Sequence, residues 1–284
     1  MTVHNSIAAH NQETFQQLRH RFVETNEISF LKDKLLEDKF IDKNEYGKFV
    51  LSTKNIFTKL SKQTTDILKL LPSVKSYYLN EQLGPLYKDK FFVCSNLPLN
   101  DYCYDVEAFE STASMSRYHC FLVLKNNDDL MYSNVLFFGL DQENTNNLLG
   151  PDDPKKTKVL IEGNMTRLIA AIQVLREMKE AAYVFVLNMT TKHNSAQYSF
   201  MRWENADPLC FHYYFHAYPF NSIHSLHMHI VSTQKEHAGS ALQKHKFKNL
   251  EVDTVIKQLE LELESLRDSL VQLVLKSRPA ASST

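Results

Sequence analysis

Glycine is scarce in this chain, with six residues in a length of 284. Phosphate-binding loops of the Walker and dinucleotide-binding types place two or three glycines close together, because the backbone must approach the phosphate closely. The glycines here stand far apart, from Gly47 to Gly239. Their spacing therefore excludes both glycine-loop classes of nucleotide-binding protein.

Cysteine is scarce as well, and apolar residues form no long run. No C-x-x-C pair occurs among the four cysteines, Cys94, Cys103, Cys120 and Cys210. A chain of this length can bury a core without disulfides, so reduced thiols in an intracellular compartment are the favoured interpretation. The N-terminus is polar, without an apolar signal segment. We expect a cytoplasmic protein with no membrane span, and secretion by a non-classical route stays open.

The chain also lacks an excess of either charge. It has 32 Lys and Arg against 33 Asp and Glu, for a net charge of -1. Such a balance gives no general attraction for nucleic acids or anionic membranes, although a local basic pocket would leave nucleic-acid binding open. With 43% hydrophobic and 23% charged residues, the composition is typical of a globular protein.

Both ends of the chain predict helices. Residues 1–88 are interpreted as a helical extension, with Phe15, Leu18 and Phe22 at helical spacing and a second helix from about Thr53 to Leu71. In residues 237–284, a helix is predicted from Leu250 to Lys276.

The C-terminal helix carries a leucine-rich seam. Its apolar residues recur at alternating steps of four and three, namely Val252, Ile256, Leu259, Leu263, Leu266, Leu270 and Leu273. This period of about 3.5 residues is typical of a coiled coil. The Val252–Leu273 seam therefore predicts a homodimer, a protein partner, or docking on the N-terminal helices of the same chain.

The middle of the chain mixes strands and a helix, which predicts an α+β fold. A helix is expected from Asn164, as N-cap, to about Glu180. Short runs rich in aromatic and β-branched residues predict buried strands at Lys90–Ser95, Cys120–Leu124, Val135–Gly139 and Tyr183–Leu187, with at least two more between Tyr198 and Val231.

Three histidines crowd into His224–His229, within one predicted strand. Side chains alternate faces along a strand, so Ser225, His227 and His229 share one face, while His224 joins the apolar residues on the other. An imidazole is largely unprotonated at neutral pH and can act as a nucleophile. An H-x-H pair can also bind a metal, but no third ligand at a familiar spacing is adjacent, and half-exposed strand histidines remain the simplest alternative.

The segment Phe215–Val231, FHAYPFNSIHSLHMHIV, resembles the active-site strand of the histidine-triad family. That family has H-φ-H-φ-H-φ-φ (φ apolar), and the chain most resembles the branch in which PPF-x-S precedes the triad. A second match is Ala108-Phe109 followed by His119 in HCFLVLK. The resemblance implies a histidine-triad-like antiparallel sheet with a packed helix, as a catalytic domain spanning residues 89–236.

The family chemistry implies that His227 attacks the α-phosphate of a nucleotide or nucleotide conjugate. The covalent nucleotidyl-histidine is then resolved by water or another acceptor, so the expected activity is that of a nucleotide hydrolase or nucleotidyltransferase. By the same resemblance, His229 stabilises the phosphate and His119 supports His227. Ser222 lies near the leaving group. No metal or other cofactor is required.

Further substrate contacts follow from the same resemblance. Asn221 and Asn188 are expected near phosphate oxygens, and Glu110 and Ser111 near the ribose hydroxyls. The chain departs from the family at Ser225, which stands where the first triad histidine is expected, on the substrate-facing side of the strand. This departure motivates an alternative: a catalytically degenerate nucleotide-binding module whose helical extensions bind a protein partner.

Overall fold

The computed structural model describes residues 15–17, 19–20, 36–37, 41–43, 49–51, 80–95, 119–125, 134–138, 154–191, 206–217, 226–233 and 248–277. These residues form an α+β structure in which one antiparallel sheet packs against two long helices. The predicted fold class is confirmed at that level, including the long C-terminal helix.

The sequence predicts a helical extension for residues 1–88, but the structure shows that this part of the chain is not purely helical. Residues 15–17, 19–20 and 36–37 are helical. However, strands β1 (Ile41–Lys43) and β2 (Phe49–Leu51) pair as an antiparallel two-stranded sheet. The two paired segments lie further along the chain than Phe15 and Phe22, so the helical spacing of those residues gives no information about them. The predicted helix from Thr53 to Leu71 lies outside the described residues.

The main sheet has five antiparallel strands in the order β3-β4-β6-β5-β7. Their bounds are β3 Phe91–Ser95, β4 His119–Leu124, β5 Phe211–His216, β6 His227–Ser232 and β7 Asn249–Glu251. The predictions of strands at 90–95, at 120–124 and within 198–231 are therefore confirmed. The histidine-rich strand β6 occupies the centre, between β4 and β5.

Side-chain alternation divides the sheet into two different faces. One face joins the main hydrophobic core through Leu122, Phe215, Leu226, Met228 and Ile230. The opposite face carries His227, His229 and a small separate cluster of Phe92, Cys94, Val123 and Phe121. The predicted assignment of Leu226, Met228 and Ile230 to the core face is confirmed, since strand geometry forces it once one of them is buried.

Helix α1 spans Pro154–Thr191, 38 residues, and covers the core face. It corrects two predictions: Asn164 is a buried position inside the helix rather than its N-cap, and Tyr183–Leu187 is helical rather than a strand. Buried positions continue at Met178, Ala182, Phe185 and Met189 with helical spacing. No glycine or proline follows Gly163 to end the helix, so packing against the core overrides the β preference of YVFVL.

The segment Val135–Phe137 is a short 3-10 helix, not the predicted strand. Asn134 caps it, because its Oδ1 accepts a hydrogen bond of 3.0 Å from the Leu136 backbone N–H. Asparagine readily offers such a local partner, which competes with strand pairing. The apolar run predicted a buried strand, and its burial is confirmed, since Val135, Leu136 and Phe137 all lie in the core.

Helix α2, Val252–Lys276, follows directly after β7 and packs along α1. The first five seam residues, Val252, Ile256, Leu259, Leu263 and Leu266, are buried in the core of the same chain. A buried ion pair between Arg19 and Glu262 also ties the N-terminal segment to α2. A homodimer or protein partner contact through this helix stays a prediction. No helix in the described part of the chain is long and apolar enough to cross a membrane.

Candidate functional site

The histidine-bearing face of the sheet, here called the histidine face, gathers side chains from three neighbouring strands. It holds His119 from β4, His216 from β5, and His227 and His229 from β6, and all four are buried. The registers explain the grouping, since Phe121 on β4 and Tyr214 on β5 both pair with His229. Residues two positions away on each strand point to the same face.

His229 lies at the centre of this cluster. Its Nδ1 is 2.9 Å from Nε2 of His119. Tyr214 stacks on its ring at a centroid distance of 5.0 Å and an interplanar angle of 4°. The His216 ring lies closer still, at 3.9 Å between centroids. The His229 residue is 3% exposed, and its ring is contacted by His119, Tyr214 and His216.

The second ring nitrogen of His229 is a buried polar atom that lacks a hydrogen bond. No group in the described ranges bonds to its Nε2. Buried polar atoms normally have partners, because leaving one unsatisfied costs about 1–3 kcal/mol. A ligand bound at the histidine face would satisfy this nitrogen, which has no solvent contact in the chain by itself.

The environment keeps His229 neutral. Burial lowers the pKa of His229 well below its ordinary value, since the charged imidazolium is poorly solvated there. Positive charge on His216, His227, His119 and Lys248 would lower that pKa further. At neutral pH the ring therefore carries a single proton, on one of its two nitrogens.

His227 lies beside His229 on the same face of β6. The two ring centroids are 5.1 Å apart, with planes inclined by 54°. The edge of Phe121 meets the His227 ring at 5.8 Å, and His216 lies at 6.5 Å. The structure thus places the expected nucleophile and the expected phosphate-stabilising residue side by side.

His119 belongs to the cluster, but its hydrogen bond through Nε2 goes to His229 instead of the expected His227. The register gives the reason: Val123 of β4 pairs with His227, whereas Phe121 pairs with His229 and His119 with Val231. His119 therefore lies opposite Val231, two residues beyond His229 along β6, and its ring nitrogen contacts the His229 ring.

Asn188 does not reach the histidine face, which corrects its predicted role near a phosphate. Its side chain lies on α1 and donates a hydrogen bond of 2.8 Å from Nδ2 to the backbone carbonyl of Gln82. Because the helix continues through Tyr183–Leu187, Asn188 stays on the core side of the sheet. It binds a neighbouring backbone segment there instead.

The other predicted substrate contacts lie outside the described residues, and their roles stay predictions. They are Ser222, Asn221, Ser225, Glu110 and Ser111.

His216 is a site residue that the sequence reasoning missed. Strand β5 reads FHYYFH, so His212, Tyr214 and His216 alternate onto one face, opposite to Phe211 and Phe215 in the core. That alternation was readable from the sequence. What it did not reveal was that β5 pairs with β6 in a register that brings these residues to His229.

The described histidines do not have the arrangement of a metal centre. Within the ranges that the structure describes, no group of three or more His, Cys, Asp or Glu has an arrangement suited to a metal ion. Instead, a nitrogen of His119 faces a nitrogen of His229 directly, in hydrogen-bond geometry.

Comparisons of the chain with protein families, with curated proteins and with solved structures gave no match.

Proposed function

We propose that the protein is a nucleotide hydrolase or nucleotidyltransferase of the histidine-triad type, in which His227 attacks the α-phosphate of its substrate. One observation carries the proposal. His227 and His229 stand side by side on the central strand of an antiparallel sheet, on the face opposite to the helices, with His119 bonded to His229. The resemblance of Phe215–Val231 to the family assigns the roles.

The contact between His119 and His229 supports a defined tautomer. When Nε2–H of His119 donates to Nδ1 of His229, the single proton of His229 sits on its own Nε2. This is the buried nitrogen that lacks a partner among the described residues. It then serves as a fixed donor toward a non-bridging phosphoryl oxygen, where charge develops in the transition state.

His227 performs the covalent step in this proposal. Its unprotonated ring nitrogen attacks the α-phosphorus, a P–N bond forms, and the bond from phosphorus to the leaving group breaks. The leaving group departs with the bonding electrons and takes up a proton. Water or another nucleophile then breaks the P–N bond, which releases the nucleoside monophosphate or its transfer product and restores the imidazole.

His216 supports an active enzyme despite Ser225 at the first triad position. It brings an additional imidazole to the histidine face from β5, 3.9 Å from His229 and 6.5 Å from His227 between ring centroids. The family takes this imidazole from the first position of the triad strand, whereas in this proposal His216 supplies it from the neighbouring strand β5. Family membership, and with it the histidine-triad-like detail of the fold, is part of the proposal.

The test is release of a nucleoside monophosphate from dinucleoside polyphosphates, nucleotide amidates and capped dinucleotides. We expect His227→Ala to lower the rate by roughly a thousandfold or more, as loss of a nucleophile does. His212→Ala is the matched control, because His212 is on β5 but half exposed and paired with Glu251. Full activity in His227→Ala would exclude the role. Intact mass at alkaline pH, where phosphohistidine survives, should show the adduct in the wild type alone.

A second candidate is a nucleotide-binding module without turnover. The observation that favours it is Ser225, which stands where the family has the first triad histidine. Nucleotide binding that is equal in the wild type and in His227→Ala, without release of product from any substrate, would favour this alternative.

A further inference from the structure

We infer that Asn249 is a specificity residue that accepts a hydrogen bond from an O–H or N–H group of the substrate. The inference rests on the proposed function for the reaction, although the location of Asn249 does not. No role was expected for this residue, which begins the edge strand β7.

The sheet register places Asn249 on the histidine face. Strand β7 pairs with β5 so that His216 faces Asn249 and Phe215 faces Leu250. Partners in an antiparallel pair lie on the same face. Leu250 and Phe215 are both in the main core, so Asn249 and His216 share the opposite face. A second contact agrees, because Glu251 reaches His212 on that face.

The side-chain oxygen of Asn249 is buried and unsatisfied. Throughout the described part of the chain, no donor bonds to Oδ1 of Asn249, just as none bonds to Nε2 of His229. Both atoms belong to residues of the histidine face, and buried polar atoms normally have hydrogen-bond partners. In this inference, a bound substrate satisfies Oδ1 of Asn249 and Nε2 of His229.

The chemistry of the Asn249 amide oxygen limits which substrate group can bind to it. An amide oxygen accepts hydrogen bonds and donates none, so this oxygen cannot bind the oxygens of a phosphate, which are acceptors too. The donor must be a hydroxyl or an N–H group. In a nucleotide substrate these are available in the ribose hydroxyls and in a leaving group that carries an amine or a hydroxyl.

The distance across the sheet fits a group next to the reacting phosphate. From β6 to β7 there are two strand spacings, about 10 Å in all. A phosphate held by His227 and His229 therefore needs a neighbouring part of the substrate to reach Asn249. His216 lies between them, on β5.

Two pairs of substrates test the inference and distinguish the sources of the donor. In the first pair, a ribonucleotide is compared with its 2′-deoxy and 3′-deoxy analogues. In the second, a nucleotide amidate with an N–H leaving group is compared with the anhydride of the same nucleoside. We expect Asn249→Ala to lower kcat/KM roughly tenfold for the substrate that has the donor, and to leave the analogue without it unchanged.

Two further variants separate recognition from damage. Asn249→Asp keeps the acceptor and should preserve the preference for the donor, whereas Asn249→Leu should lose it. Glu251→Ala is the control on the same strand, and it should leave both preferences intact. Thermal unfolding identifies any variant that fails to fold. If Asn249→Ala or Asn249→Leu fails to fold, the substrate preference of Asn249→Asp decides whether the inference holds. Preferences that are unchanged in Asn249→Ala for both substrate pairs would overturn the inference.

A binding measurement keeps this inference separate from the catalytic proposal. Calorimetry of ribo- and deoxynucleoside monophosphates, and of unreactive amidate and anhydride analogues, would use the His227→Ala variant with and without Asn249→Ala. If His227→Ala still turns over substrate but Asn249→Ala loses the preference, only the nucleophile assignment fails. If binding discrimination does not depend on Asn249, or if no ligand binds the wild type, the inference on Asn249 is wrong.

Discussion

The buried ion pair between Arg19 and Glu262 gives a stability prediction with a built-in control. Nε and Nη2 of Arg19 donate to the Glu262 carboxylate, at 3.3 Å and 2.6 Å. The guanidinium also bonds to the carbonyls of Leu136 and Phe138. The two charged side chains are 1% and 6% exposed. Glu262→Ala would leave a guanidinium buried without its counter-charge.

The expected loss in the free energy of unfolding is about 3–5 kcal/mol, the usual cost of removing one partner from a buried pair. Glu260→Ala is the matched control, since Glu260 lies on the same helix and pairs with Arg176 at 39% and 59% exposure. Solvent screens that pair, so its loss should cost less than about 1 kcal/mol. Both variants change Glu to Ala within α2, so helix propensity cancels in the comparison.

Urea unfolding followed by circular dichroism measures both variants against the wild type. A difference of less than about 1 kcal/mol between Glu262→Ala and Glu260→Ala would refute the reasoning from burial. The double variant Arg19→Met with Glu262→Leu should recover part of the loss, because an apolar pair needs no charge compensation. Recovery should be incomplete, since the Leu136 and Phe138 carbonyls lose their donor.

Three further predictions concern the site and the helices. Because burial lowers the pKa of His229 in the folded state, unfolding takes up a proton below about pH 6.5. The free energy of unfolding should therefore fall as pH falls below that value, by up to about 1.4 kcal/mol per pH unit from this residue. Urea unfolding at several pH values should give a shallower slope for His229→Gln, and equal slopes would contradict it. Gly163→Ala should raise stability by about 0.5–1 kcal/mol, since a Cβ there meets nothing within 4 Å, whereas Gly84→Ala should lower it because φ is 77°. Thermal unfolding should show a higher Tm for Gly163→Ala and a lower Tm for Gly84→Ala than for the wild type, and shifts of the same sign would contradict this prediction. Phe185→Ala should cost about 3–5 kcal/mol in urea unfolding, because Phe185 is fully buried. Ile169→Ala, at a 50% exposed position of the same helix, should cost much less, and similar losses would contradict this difference in burial.

Much of the sheet was predictable because its information is local. Runs such as KFFVCS and HCFLVL alternate between two buried faces and are bounded by polar residues, which is enough to identify β3 and β4. The same alternation in SLHMHIV predicted that Leu226 and Met228 face the core and His227 and His229 the other side. The C-terminal helix was predictable from its heptad spacing, but the surface it packs on was not.

Short apolar runs were the point where local reasoning failed. YVFVL has the composition of a strand, yet it lies within α1, and VLF forms a 3-10 turn. Periodicity over five residues does not distinguish a buried strand from a buried stretch of helix. The choice is made by the surface available for packing, which depends on residues far away in the chain. Because this stretch is helical, Asn188 lies on α1 and bonds to Gln82 instead of reaching the histidine face.

The sequence by itself determined the composition of the candidate site: a central strand with His227 and His229 on one face, and the family resemblance around it. Tertiary structure decided how that strand is surrounded. His119 meets His229 across 110 positions of sequence, and β5 and β7 bring His216 and Asn249 to the same face. Strand order and register are set by burial of the whole core, a property of all strands and helices together, so no single segment encodes them.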